Sequence, residues 1–189
     1  MQHKVSPRDR IVATAKQLFA ERGFHRTAMA DLAEAAQVSV GTIYRSFPGK
    51  SEIIRAIIEA DTHETLDELQ RDIDAIQRGA IERRDAVSAM ILRWITQRED
   101  AIEHEIVAEC HRNPELAEVV SCICTKYREQ FRVLARLLQA SADPIRAEGA
   151  AEMLLACLFG MGHREFTAPA LDDEQTAAVL TDLILKALD

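Results

Sequence analysis

Six side chains between positions 27 and 50 have the types and spacing to grip an anionic polymer. Thr27 and Ser39 stand where short helices should begin, and the free N–H groups and dipole at such ends favour phosphate. Thr42 and Arg45 are three residues apart, so on a helix they share one face. Tyr44 carries a hydroxyl on a rigid ring, suited to donating to a phosphate oxygen. Lys50 opens the following helix, another anion-favouring end. Plainer roles are open to each of them. Thr27 and Ser39 cap helices with or without a ligand, Tyr44 can pack against a neighbouring helix, and Arg45 can be a solvated surface residue.

Other chemistries are poorly supplied. No Gly-rich phosphate loop, GxSxG elbow or HExxH pair occurs, so no enzyme class is indicated and no cofactor is expected. His104 and His111 lie seven apart on one helical face, near Glu103 and Cys110. The usual helical zinc pair is i, i+4, and nothing in the sequence fixes a third ligand, so no metal is expected. Cys122 and Cys124 point to nearly opposite sides of a helix and cannot pair with each other.

The elements that must position the anion-gripping residues are helices. Only seven Gly and five Pro in 189 residues argue against the many tight turns of an all-β chain. Ile11, Ala15, Leu18 and Phe19 repeat at helical spacing after Ser6-Pro7, predicting a first helix near 7–22 that Gly23 ends. Thr27 is expected to cap a second helix buried through Met29, Leu32, Ala33 and Ala36. Ser39 caps a third, Val40 to Phe47, and Pro48-Gly49 precedes a long fourth helix from about residue 50 to Gly79. A fifth carries Val87, Ile91 and Trp94. A sixth spans about 100–112 and a seventh about 115–140. An eighth starts at Asp143-Pro144 and reaches about 162, and a last one opens at Asp172 or Asp173. The expected fold class is all-α: a three-helix N-terminal domain, residues 1–50, and a larger helical body, residues 51–189.

Charge divides along the same line. The net charge of −8 speaks at first against a nucleic-acid partner, yet residues 1–60 hold nine Lys/Arg and six Asp/Glu, a surplus of three positive charges. The acidic excess lies beyond them. Lys4, Arg8 and Arg10 form either a basic arm toward a minor groove or a solvated tail. No apolar run approaches the roughly 20 residues of a membrane span, and the first ten residues lack the apolar stretch of a signal peptide. A cytoplasmic protein with reduced thiols and no membrane partner is expected.

Helices two and three, joined by Gln37-Val38-Ser39, make a helix-turn-helix: small Ala33 and Ala36 at the crossing, and Leu32, Val38, Ile43 and Phe47 as apolar pegs. The second helix of such a pair enters the major groove with its N-terminal residues toward the bases. The string Leu18-Phe19, Gly23-Phe24, Thr27, Asp31-Leu32-Ala33, Val38-Ser39, Gly41-Thr42-Ile43-Tyr44, Phe47 and Lys50 resembles the DNA-binding signature of the TetR (tetracycline repressor) family. The resemblance covers about 45 residues, from Arg10 to Ile54. It implies a homodimeric transcriptional regulator, in the usual case a repressor released from a palindromic operator by a small-molecule effector. A ligand-independent regulator or an activator would share the same head. It also implies base-edge positions at Val40, Gly41, Thr42 and Arg45 and phosphate contacts at Thr27, Thr42, Tyr44 and Lys50, with Gly41 permitting close approach to the groove. Two departures stand out. Gln37 occupies a turn position where the family commonly has glycine, and a left-handed backbone there would cost about 1–2 kcal/mol. Ala28 replaces a common second threonine, which removes one phosphate contact.

Beyond residue 60 no signature stands out. The resemblance implies an effector pocket among helices five to eight, and Met90, Trp94, Cys110, Tyr127, Phe131, Met153 and Cys157 are the side chains able to line it, although such a stripe also serves as plain core. It implies a dimer interface on the last two helices. There Ala150, Ala156 and Gly160 allow close approach and Leu180, Leu183, Ile184 and Leu188 supply apolar area.

Overall fold

The computed structural model describes residues 6–96, 100–139, 143–161 and 164–188, so Lys4 lies outside the described residues. They form nine α-helices, one short 3-10 turn at Arg164–Thr167 and no strand. The helices are α1 (Pro7–Arg22), α2 (Met29–Ala35), α3 (Val40–Ser46), α4 (Lys50–Gln77), α5 (Arg83–Thr96), α6 (Asp100–Cys110), α7 (Pro114–Leu138), α8 (Pro144–Met161) and α9 (Asp173–Leu188).

Local chemistry explains where they begin. Ser6 Oγ accepts the Asp9 N–H at 3.1 Å ahead of Pro7, and Asn113 Oδ1 accepts the Leu116 N–H at 3.2 Å ahead of Pro114. Asp143 Oδ1 takes the Ile145 N–H. At α9 a full capping box forms: Asp172 Oδ1 accepts from the Gln175 N–H while Gln175 Oε1 accepts from the Asp172 N–H. Each cap satisfies N–H groups that a helix start leaves without partners.

The chain divides into two compact units. The first comprises residues 6–63 and 100–121 among those described. It is larger than the 1–50 stretch read from the sequence, because α6 packs on α1. Phe19, Ile43 and Phe47 are fully buried in it. In the second unit α5 packs along α9, and α8 packs on both. Ala86, Met90 and Ile91 of α5 and Ala177, Ile184 and Leu188 of α9 are buried there. Trp94, Tyr127 and Phe131 join this core as an aromatic cluster: Trp94 meets Phe131 edge-on at 5.4 Å between centroids, and Tyr127 stacks on Phe131 at 6.2 Å.

Candidate nucleic-acid interface

The turn between α2 and α3 sets the geometry of the site. The Gln37 N–H bonds to the Glu34 carbonyl and the Val38 N–H to the Ala33 carbonyl, a Schellman arrangement with Gln37 at the left-handed position, φ 54°. The conformation that the sequence made costly for glutamine is therefore the one adopted.

Past that turn Ser39 caps α3 as its sequence implied. Its Oγ accepts the Thr42 N–H at 3.1 Å and lies 2.8 Å from Thr42 Oγ1, which in turn accepts from Arg45 Nη2 at 3.1 Å. Ser39, Thr42 and Arg45 thus form one hydrogen-bonded chain along the exposed side of the helix. Val40 and Tyr44 are also on the outside, 52% and 53% exposed. No acidic residue occurs in α3. A Cβ placed on Gly41 would come no nearer than 3.9 Å to any side chain, so the absent side chain there is not demanded by the protein's own packing.

Two assignments change. Thr27 does not cap α2. Ala28 occupies the cap position, and the Asp31 carboxylate accepts the Ala28 N–H at 3.0 Å. Thr27 is fully buried and its hydroxyl donates to the Gly23 carbonyl at 2.9 Å, closing the α1–α2 turn from within. A hydroxyl so engaged is not offered to phosphate. Asp31 was the missed capping residue, and its sequence signal was a carboxylate three positions after the true cap. Lys50 does open α4, but its Nζ donates to the carbonyls of Phe24 (2.7 Å) and His25 (3.3 Å) and sits 4.6 Å from the Phe24 ring centroid. One of its three donors remains.

The same turn is held from α6. Glu105 Oε2 accepts the Phe24 N–H at 2.8 Å, and the His25 imidazole lies 3.1 Å from the buried carboxylate of Glu109. Asn113 donates to Ser51 at 3.3 Å. No signal in the sequence points to Glu105 or Glu109, whose partners are about 80 residues away along the chain. Arg8 and Arg10 are part of α1 and do not form an arm.

In the second unit Met90, Trp94, Tyr127 and Phe131 are buried, and the three rings fill space against one another. Met153 and Cys157 are half-buried one turn apart on α8. Cys110 belongs to the other unit, so the seven proposed lining residues are not gathered within one compact body. Burial pushes the Cys124 and Cys157 thiols up from the ordinary range. An open cleft of about 230 Å³ is lined by Glu68, Arg71, Asp72 and Arg93, where the Arg93 guanidinium is paired with Asp72. Among the described residues no three His, Cys, Asp or Glu side chains converge as a metal site. No helix there is long and apolar enough to cross a membrane.

The small and apolar residues assigned to a dimer face split between two sides. Ala150, Ile184 and Leu188 are buried within their own unit, where α8 and α9 pack on each other and on α5; this corrects their assignment to a dimer interface. Ala156, Gly160 and Leu183 are exposed and Leu180 is half-buried. Val179 and Leu183, one turn apart on α9, are 48% and 56% exposed.

A capped short helix held outward by a helix-turn-helix, in an otherwise helical chain, defines a DNA-binding protein of the regulator type. Residues 11–57 match the family model of bacterial regulatory proteins of the tetR family, and residues 78–189 match the Tetracyclin repressor-like C-terminal domain. The chain belongs to the TetR family of transcriptional regulators. It is 33% identical over 121 residues to the HTH-type transcriptional regulator UidR of Escherichia coli, covering 64% of this chain and 60% of UidR. The match therefore spans less than two thirds of that relative's length. The HTH-type transcriptional regulator TtgR of Pseudomonas putida is 42% identical over 64 residues, 34% of this chain and 30% of that one. The solved structure of Salmonella enterica GusR covers 98% of both chains at 26% identity, with a TM-score of 0.76.

Proposed function

We propose that this regulator works as a homodimeric repressor that reads operator DNA through α3 and releases it when a small molecule binds the body. The observation that carries the reading is the outward-facing chain Ser39–Thr42–Arg45, with Tyr44 exposed beside it and no acidic residue on the helix. In this reading Val40, Gly41, Thr42 and Arg45 meet base edges, and Ser39, Tyr44 and the remaining donor of Lys50 meet phosphates. Val179 and Leu183, exposed apolar side chains one turn apart on α9, support a two-fold contact between copies, and two heads on one dimer call for a palindromic site. Release by an effector requires that the effector bind more tightly to the DNA-free arrangement, and operator DNA must then weaken the effector by the same factor.

In vitro selection of duplexes followed by footprinting tests the reading. A two-fold symmetric footprint whose affinity falls steeply with salt is expected. Recovery of no preferred sequence would overturn it. Small-molecule screening by thermal shift, scored again with the selected duplex present, tests the effector arm. A ligand-independent regulator would show no compound that both raises Tm and displaces DNA.

A further inference from the structure

We propose that Arg8, at the first turn of α1, is a phosphate-contacting residue of the DNA interface, held ready at the C-terminal end of the recognition helix. The inference rests on the reading of α3 as that helix and adds a contact from outside the helix-turn-helix itself.

The geometry is specific. Arg8 Nη1 donates to the carbonyl of Ser46, the last residue of α3, at 3.2 Å. Its guanidinium carbon lies 4.3 Å from the centroid of the Phe47 ring. Phe47 is buried to 1% exposure, so the ring is an anchored platform, while Arg8 itself is exposed. A guanidinium has five N–H donors in a fixed plane, and this one uses a single donor toward protein. Among the described residues it makes no ion pair.

Two physical consequences follow. The C-terminal end of a helix presents carbonyl oxygens and partial negative charge, which repel phosphate. Arg8 occupies one of these carbonyls at α3 and turns that end positive. Stacking also fixes the side chain before DNA arrives, so less rotamer entropy is lost on contact than for a free surface arginine. A lysine would satisfy the carbonyl but would leave neither a planar face on the ring nor a fork of spare donors.

In the second unit Arg84 pairs with Asp182, Arg93 with Asp72, Arg132 with Glu148 and Arg164 with Asp173. On the head Arg55 also pairs, with Glu52, whereas Arg8, Arg22, Arg26 and Arg45 make no ion pair among the described residues. Of these four, Arg8 and Arg45 are bonded to α3, and only Arg8 is fixed by an aromatic ring.

The test uses the full chain and a duplex recovered by selection with the wild-type protein. Affinity is measured by fluorescence anisotropy between about 50 and 200 mM salt for wild type, Arg8→Gln and Arg8→Lys. For Arg8→Gln the slope of log K against log salt should fall by about 1, with affinity lower by about fivefold to tenfold near 0.1 M salt. The loss should be the same on the selected duplex and on a random one, since phosphates carry no sequence. Arg8→Lys keeps the charge and should keep the slope. A role limited to capping α3 lowers stability and affinity together and leaves the slope of Arg8→Gln unchanged; that result overturns the proposal.

Should Arg8→Gln fail to fold, wild type carries the test through phenylglyoxal labelling read by peptide mass spectrometry. Arg8 should be protected by the duplex, and equal labelling with and without it overturns the proposal as well. If the wild type binds no duplex at all, the recognition-helix reading falls first and this inference with it. A binding wild type with an intact slope in Arg8→Gln removes the inference alone.

Discussion

Replacing Gln37 by glycine should make the protein more stable. Gln37 is exposed, its φ is 54°, and both of its turn's Schellman bonds are backbone bonds that a glycine keeps. An L-residue with a Cβ is disfavoured in the left-handed region by about 1–2 kcal/mol. Glycine removes that cost but gives the unfolded chain more freedom, a loss of about 0.4–1 kcal/mol. The net gain is about 0.5–1 kcal/mol. For a chain of this size that is a rise in Tm of about 1–4 °C. Circular dichroism at 222 nm, at one fixed protein concentration so that self-association does not shift the midpoint, measures it. Gln37→Asn should fall between the two, and Gln37→Val should lie below wild type because a β-branched residue tolerates this region least. Affinity for a selected duplex should be unchanged in Gln37→Gly, since the backbone already has the conformation that glycine favours. A Gln37→Gly midpoint at or below wild type, with Gln37→Val no lower, would refute the strain argument.

Gly41→Ala should leave the fold intact or stabilise it by up to about 1 kcal/mol from helix propensity, yet weaken duplex binding; unaltered binding in an anisotropy titration counts against close approach at α3. Thr27→Val removes a buried donor from the Gly23 carbonyl and should destabilise by about 1–3 kcal/mol in urea unfolding, with no selective effect on the salt slope. Leu183→Glu places a charge on the exposed side of α9 and should shift a sizing-column peak to the monomer position, whereas a persistent dimer moves the interface elsewhere. Cys122 is exposed, while burial raises the Cys124 and Cys157 thiols and lowers their thiolate fraction at a given pH. At about pH 8 a disulfide reagent should label Cys122 first, as peptide mapping will show; faster labelling of Cys157 would contradict its burial.

Features bounded by a few neighbouring residues were legible in the sequence. Ser6-Pro7, Ser39, Asp143-Pro144 and Asp172 each announce a helix start through a side chain that reaches only two or three positions, and all four do so in the structure. The left-handed turn at Gln37 was visible only through the family resemblance, in which glycine is common at that position. Thr27 misled because a threonine before a helix can turn either way. Its burial depends on α1 carbonyls that no local pattern reveals. The two sides of α8 and α9 were confused because each helix has small or apolar residues on both. Leu183 and Ile184 are adjacent in sequence, and only packing against α5 decides that Ile184 goes in and Leu183 stays out. Glu105 and Glu109 were unreadable because their partners lie far away in the chain.

That distance has a practical side for anyone building hybrid sensors. The natural-looking place to splice a foreign effector body onto this head is the Pro48-Gly49 corner just before α4. A cut there would discard Glu105 and Glu109, which hold the α1–α2 turn, and the helix that covers α1. The transplanted head would keep α3 but lose both grips from α6 on the turn that precedes α2, leaving the Thr27 hydroxyl bond to Gly23 and, if the graft includes it, Lys50's. A graft that carries residues 100–121 along with 1–63 respects the compact unit; one that does not should need those contacts rebuilt on the recipient's own helix.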